Sequence, residues 1–201
     1  GYQKQPGLVT IEGKMEEALT KINNGKKTSI TATGRTDKKV HALAQYAHAD
    51  IDVNITENKL KRALNSNIPD DIHVIETKIV EDNFHARYNV REKTYKYIIN
   101  LGEYNPIERN YVFQYNYKLD IKAIREGIKY FEGTHDFRAF VTDNKEKENC
   151  IRTISLTNIE EKDNKLVITF KGDGFLRYQV RNMVGILIKI GENKISPSKV
   201  K

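Results

Sequence analysis

The sequence predicts an α+β protein of two similar halves, each a mostly antiparallel sheet with helices on one face. Three observations carry this reading. Apolar residues recur at helical spacing in some segments and alternate with period two in others, and the two kinds interleave. The order helix, strand, strand, helix, strand in the first half is echoed in outline by strand, helix, strands, helix in the second. The 201 residues also exceed the roughly 150 typical of one domain. Residues 1–92 and 93–201 are therefore assigned to the two halves, with the junction near 91–94.

The elements follow in order. Ile11, Met15, Ala18, Leu19 and Ile22 share a helical face, and Asn23-Asn24-Gly25 suits a left-handed C-cap, so a helix is expected over about 9–23. Thr28 to Thr33 is a short β-branched strand running into Gly34-Arg35-Thr36-Asp37. From Val40 to Val53 small apolar and polar residues alternate, as in a half-buried strand. Leu60, Ala63 and Leu64 mark a second helix ending before Asn67-Ile68-Pro69-Asp70, and Ile72 to Val80 alternates again as a strand.

In the second half Thr94 to Leu101 is strongly β and is closed by the turn residues Glu103-Tyr104-Asn105-Pro106. Ile121, Ile124, Ile128 and Phe131 give a helix over 120–131, with Asp120 as N-cap and Gly133 as its stop. The charged stretch 142–149, TDNKEKEN, reads as a mobile surface loop. Ile151 to Thr157 and Leu166 to Phe170 are antiparallel strands across a turn at Asp163-Asn164. Val180, Met183, Val184, Leu187 and Ile188 form a last helix packed on a sheet.

Composition excludes several classes. With 38% hydrophobic and 30% charged residues, no stretch approaches the roughly 18 apolar residues of a membrane span. A single cysteine, Cys150, forms no internal disulfide, and with no leader-like start a reducing, cytoplasmic setting is expected. The 34 Lys and Arg against 27 Asp and Glu leave +7, which points to a polyanionic partner. No Gly-rich phosphate loop, CxxC pair or HExxH is present, so neither a metal nor a cofactor is expected. The five histidines are scattered and read as structural or surface residues; His41 and His48, seven apart on an apparent strand, point to opposite faces.

The segment GRTDKKVHA, Gly34 to Ala42, is different. A strand delivers Gly34 and Arg35, then a turn-forming Thr36-Asp37, then returns. Such a loop presents Asp37 at a sheet end with an arginine two residues away that can hold the carboxylate ionised and pinned, as a carboxylate nucleophile needs. The same aspartate can also serve only to cap the turn.

Here the sequence resembles the tRNA pseudouridine synthase A (TruA) family. The resemblance runs through YQKQPGLVTIEGKMEEAL, GRTDKKVHA, ALNSNIPDDIHV, NFHARYNVREKTYKYII, GTHDFRAF, RTI and FLRYQVRNMVGILIKIG, in that order. It implies the pseudouridine synthase fold, with sheets packed around a central RNA-binding cleft, and an isomerase that converts uridine to pseudouridine in the anticodon stem-loop of tRNA. It further implies no cofactor, no metal and a homodimer. By position it makes Asp37 the nucleophile, Tyr95 the aromatic that stacks on the target base, and Arg35 a ligand of substrate phosphate. Arg181 becomes the partner of the catalytic aspartate, and Arg87 a residue near the RNA groove. Tyr97 has the same side-chain direction as Tyr95 and competes for its role, and either can be a core strand residue.

The chain departs from the family in three ways. Lys38 and Lys39 follow the aspartate where the family has small residues, and Tyr2 stands in place of an early tryptophan. The family's first strand and its final helix and strand are expected to be absent. Two alternatives therefore stay open: a catalytically impaired RNA-binding protein of the same fold, and an aspartate-nucleophile hydrolase or phosphotransferase, which would want a carboxylate cluster for metal.

Overall fold

The first helix starts where its sequence supplies a cap. Thr10 Oγ1 accepts from the Gly13 N–H at 3.2 Å, and helix α1 runs Ile11–Ile22 before Asn24 and Gly25 turn left-handed at φ 55° and 82°. The computed structural model describes residues 1–141 and 149–200, and the chain divides into two units, Gly1–Val90 and Arg91–Lys201. The charged run expected as a surface loop falls, apart from Asn149, outside the described residues.

In the first unit α1 packs on helix α2 (Glu57–Asn65). Ala18, Leu19, Leu64 and Ile68 are buried between them, with Met15, Ile22, Leu60, Ile72 and Val74 half-buried around this cluster. The strands are much shorter than expected. Only Thr31–Ala32 (β1) and Ala47–His48 (β2) pair, antiparallel. Between them the alternation of Ala42 and Ala44 with polar residues offers little apolar area to bury, and Leu43 is 92% exposed.

The expected strand at 72–80 joins no ladder among the described residues. Alternation reports which side chains are covered, not whether a neighbouring backbone is at hand. Helix α2 serves the backbone instead. The Asn65 side chain donates to the Val74 carbonyl at 3.0 Å and accepts from its N–H at 2.8 Å, as a strand partner would. The Glu57 carboxylate accepts from the Ile79 N–H at 2.8 Å.

The second unit holds a five-stranded sheet. Strands β3 (Lys93–Asn100), β4 (Phe113–Gln114), β5 (Gly133–Asp136), β6 (Ile151–Lys162) and β7 (Lys165–Gly172) lie in the order β4-β3-β7-β6-β5, all neighbours antiparallel except β3 with β4. Helix α3 (Ile121–Ile128) is capped by Asp120, whose carboxylate accepts from the Ala123 N–H at 3.0 Å, and a 3-10 turn extends it to Phe131. Helix α4 (Gln179–Gly191) packs against α3. The core forms where Met183, Val184, Leu187 and Ile190 of α4 meet Ile99, Leu166, Ile168 and Phe170 of the sheet.

The β6–β7 hairpin closes through Asp163 and Asn164, both left-handed at φ 50° and 58°, which suits residue types that tolerate that region. Farther along, the register slips between Ile154 and Leu156. The extra residue, Ser155, lets Ile154 and Ile159 both reach the core although they are an odd number of residues apart. Opposite this bulge lies Gly172, where a Cβ would meet the Thr153 carbonyl oxygen at 2.5 Å.

Two glycines should respond to alanine with opposite signs. Gly172→Ala forces backbone against backbone at the bulge and is expected to cost about 1–3 kcal/mol. Gly185→Ala, in the interior of α4 with nothing within 4 Å of the added methyl, is expected to gain about 0.5–1 kcal/mol. Urea midpoints of the two variants check this, and equal signs would contradict the bulge geometry.

Candidate active site

In the first unit Thr33 and Gly34 leave β1 under the control of one glutamine. The Gln45 side-chain carbonyl accepts from the Thr33 hydroxyl at 2.9 Å, and its amide donates to the Gly34 carbonyl. The chain then passes Arg35 and Thr36 and turns at Asp37, whose carbonyl accepts from the Val40 N–H at 3.1 Å. Asp37 is half-buried, whereas Arg35, Lys38 and Lys39 are exposed. The expected grip of Arg35 on the Asp37 carboxylate is not formed: the Arg35 guanidinium makes no ion pair among the described residues. Arg35 precedes the turn, and a two-residue spacing gives it reach without direction.

Tyr2 supports this loop from below. Its N–H donates to the Thr36 carbonyl at 3.0 Å and its carbonyl accepts from the Glu12 N–H of α1, also at 3.0 Å. The ring is 4% exposed, and its hydroxyl is buried with no hydrogen-bond partner among the described residues. Burial, and then the charges of Glu12 and Glu16, push that hydroxyl up to about 12.

Arg87 belongs to a second surface of the same unit. The segment Phe84 to Tyr88 is tied to β2 by His48, whose Nδ1 accepts from the Ala86 N–H at 3.1 Å and whose ring meets Phe84 and His85 edge-on. His85 in turn stacks on Tyr88 at 4.2 Å. Ala86 is buried and Arg87 exposed, so the histidines are structural here and the arginine faces outward.

In the second unit the β3–β7 register puts Tyr95 opposite Phe170, Tyr97 opposite Ile168 and Ile99 opposite Leu166, one row on the core face. Tyr97 packs against the core cluster, whereas Tyr95 lies at the end of the row with its ring 5.0 Å from Phe175, edge to face. Arg181 is exposed on the first turn of α4, and its guanidinium stands 5.4 Å from the Tyr178 ring centre; Arg177 approaches the same ring at 4.9 Å. Burial raises the Tyr97 hydroxyl above its ordinary value, and the Arg181 charge opposes that shift.

Six described non-glycine residues have positive φ. Four are Asn or Asp, which tolerate the left-handed region. The other two are Lys39 at 70° and Tyr178 at 63°, neither of which is suited to it. One lies two residues after Asp37 and the other three residues before Arg181. Conformational strain collects where the surrounding structure enforces a particular side-chain placement, functional sites above all. Sequence reasoning missed Tyr178, Phe175 and Gln45, because neither an aromatic nor an amide carries a signal for such a role.

Among the described residues no group of three or more His, Cys, Asp or Glu is placed to hold a metal ion, and no helix is long and apolar enough to cross a membrane. What the loop offers is a half-buried carboxylate on a tight turn beside exposed cations; the second unit, taken by itself, carries Tyr95 and Tyr178 with Arg177 and Arg181 near the Tyr178 ring. A carboxylate so placed can add to an electrophilic carbon.

A sequence model described as tRNA pseudouridine synthase matches residues 2–89 and 128–201. The chain belongs to this family. Curated relatives agree over nearly all of its length. The tRNA pseudouridine synthase A of Streptococcus mutans serotype c is 41% identical over 198 residues, covering 97% of this chain and 80% of that protein. The tRNA pseudouridine synthase A 1 of a Bacillus cereus strain is 40% identical over 201 residues, covering 100% and 81%. A Streptococcus pneumoniae tRNA pseudouridine synthase A is 39% identical, covering 100% and 82%. The family assignment, the α+β class and the isomerase class expected from the motifs agree with these findings.

For this synthase-family chain, Tyr2→Phe removes a buried hydroxyl that has no partner and is expected to raise stability by about 1 kcal/mol. The folded-state value near 12 lies above the ordinary value of about 10, so the unfolded chain releases this proton first and stability falls as pH rises from 10 toward 12. The variant should therefore lose less stability over that alkaline interval. Denaturant midpoints at neutral pH and across the interval test both parts.

Proposed function

We propose that this chain isomerises uridine to pseudouridine in the anticodon stem-loop of tRNA, with Asp37 as nucleophile, and that it works as a homodimer. The observation that carries the reading is the Asp37 turn itself, a half-buried carboxylate with a left-handed residue two positions on, in a chain about 40% identical to proteins named tRNA pseudouridine synthase A. The reaction breaks the bond from ribose C1′ to uracil N1, rotates the base and rejoins it through C5, with loss of the C5 proton. It is redox-neutral and matches a carboxylate acting as a covalent nucleophile.

The other residues take supporting roles. Extruding the target base costs a few kcal/mol, which stacking on the Tyr95 ring offsets in part. Arg181 takes the role of partner to the aspartate that the family resemblance gives it, and Arg35 and Arg87 bind RNA phosphate. Exposure of both Arg35 and Arg87 is consistent with that use. Activity would take place in the cytoplasm, where the tRNA substrate is.

Asp37→Asn keeps the side-chain size but cannot attack, so it should release less than about 1% of the parent's tritium from tRNA labelled at uridine C5, with affinity for tRNA changed less than about tenfold. Clear turnover by the folded variant would remove Asp37 from the role. An inactive parent with intact tRNA binding would favour the impaired RNA-binding protein.

Tyr95 separates stacking from packing. Tyr95→Phe retains the ring face and should bind tRNA within about threefold of the parent while losing turnover if its hydroxyl assists removal of the C5 proton. Tyr95→Leu should lose both binding and turnover at a nearly unchanged melting temperature. A Leu variant that melts early but remains active per folded molecule assigns Tyr95 to the core and moves the stacking role to Tyr97.

A further inference from the structure

The turn that carries Asp37 places its most conformationally demanding position on a lysine. Lys38 has negative φ and Lys39 has φ 70°, the sign pattern of a type II turn closed by the Val40 N–H to Asp37 carbonyl bond. That second central position favours glycine or asparagine, and a lysine there gives the turn no local advantage. Its value must therefore lie in what the side chain reaches. Lys39 is exposed, as are Lys38 and Arg35, and none of the three forms an ion pair among the described residues. The local sequence is poor in counter-charge: from Thr28 to Ala49, Asp37 is the only acidic residue.

We propose that Lys39, with Lys38 beside it, binds a backbone phosphate of the RNA close to the nucleotide that Asp37 attacks, and so positions the strand for the reaction. This rests on the function proposed above. An ammonium meets phosphate as a compact point charge and does not read base identity, so the contact tethers the backbone without choosing a sequence. The left-handed backbone at an exposed lysine is a strain that a side-chain role at that spot would account for.

The test is the salt dependence of binding. Affinity for an unmodified tRNA transcript is measured between about 50 and 200 mM salt for the parent and for K39N, K39G and K39R, beside melting temperatures and tritium release from tRNA labelled at uridine C5. Asn and Gly both accept the left-handed turn, so neither variant should melt below the parent. Each should bind several-fold more weakly, with the slope of log affinity against log salt reduced by about 0.7–0.9, the value for one released phosphate contact. Their kcat/KM should fall, and K39R should keep the parent's slope. A parental slope in K39N and K39G overturns the proposal and makes Lys39 a solvated surface residue. If the parent releases no tritium but the slopes still differ as stated, the isomerase reading fails and the phosphate contact stands.

Discussion

Leu166, Ile168 and Phe170 are withdrawn from water entirely, and they can be because β7 is laddered by β3 on one side and β6 on the other. A strand at the centre of a core has no water for its polar backbone, so both ladders are obligatory. Their register then determines what the second unit can present. Fixing Ile99 opposite Leu166 fixes Tyr95 opposite Phe170, on the same face but at the end of the row. The α4 residues that seal this core, Met183 and Leu187, also set the rotation of the helix and leave Arg181 on its exposed side.

The sequence was legible wherever a signal and its partner lie close together. The cap at Asp120, the left-handed stop at Asn24-Gly25 and the hairpin turn at Asp163-Asn164 are all local chemistry; the cap at Thr10, inside the expected helix of about 9–23, was not read. Strands β3, β6 and β7 were readable because their patterns are long enough to see, whereas the short edge strands β4 and β5 carry too few residues to show a period and were not read as strands. In the first unit the same alternation over 72–80 falls on a segment whose backbone is served by Asn65 and Glu57 side chains and whose Ile75, Ile79 and Val80 are exposed, and period two cannot distinguish that from a ladder.

The candidate site shows the same division. The Asp37 loop was visible as a motif, and the turn following it was visible as turn chemistry. The direction of Arg35 was not, since spacing along the chain sets distance alone. Tyr178 was invisible because nothing in a tyrosine signals a left-handed backbone; its conformation is imposed where the chain enters α4, with Arg177 and Arg181 against its ring. Sites of this kind are where local preference and tertiary demand disagree.

The strand order also bears on synthesis at the ribosome. Strand β3 leaves before the strand it pairs with, and residues 101–164 take roughly 3 to 13 s to follow at 5–20 residues per second. During that wait Tyr95, Tyr97 and Ile99 have no cover, while the β6–β7 hairpin, once made, closes on itself through a two-residue turn. The β6–β7 hairpin thus has its partner strand at hand at once, whereas the long ladder of β3 is completed only when β7 has emerged. Lys93 and Lys96, set among the apolar residues of β3, are the charges that discourage other chains from pairing with its edge in the interval.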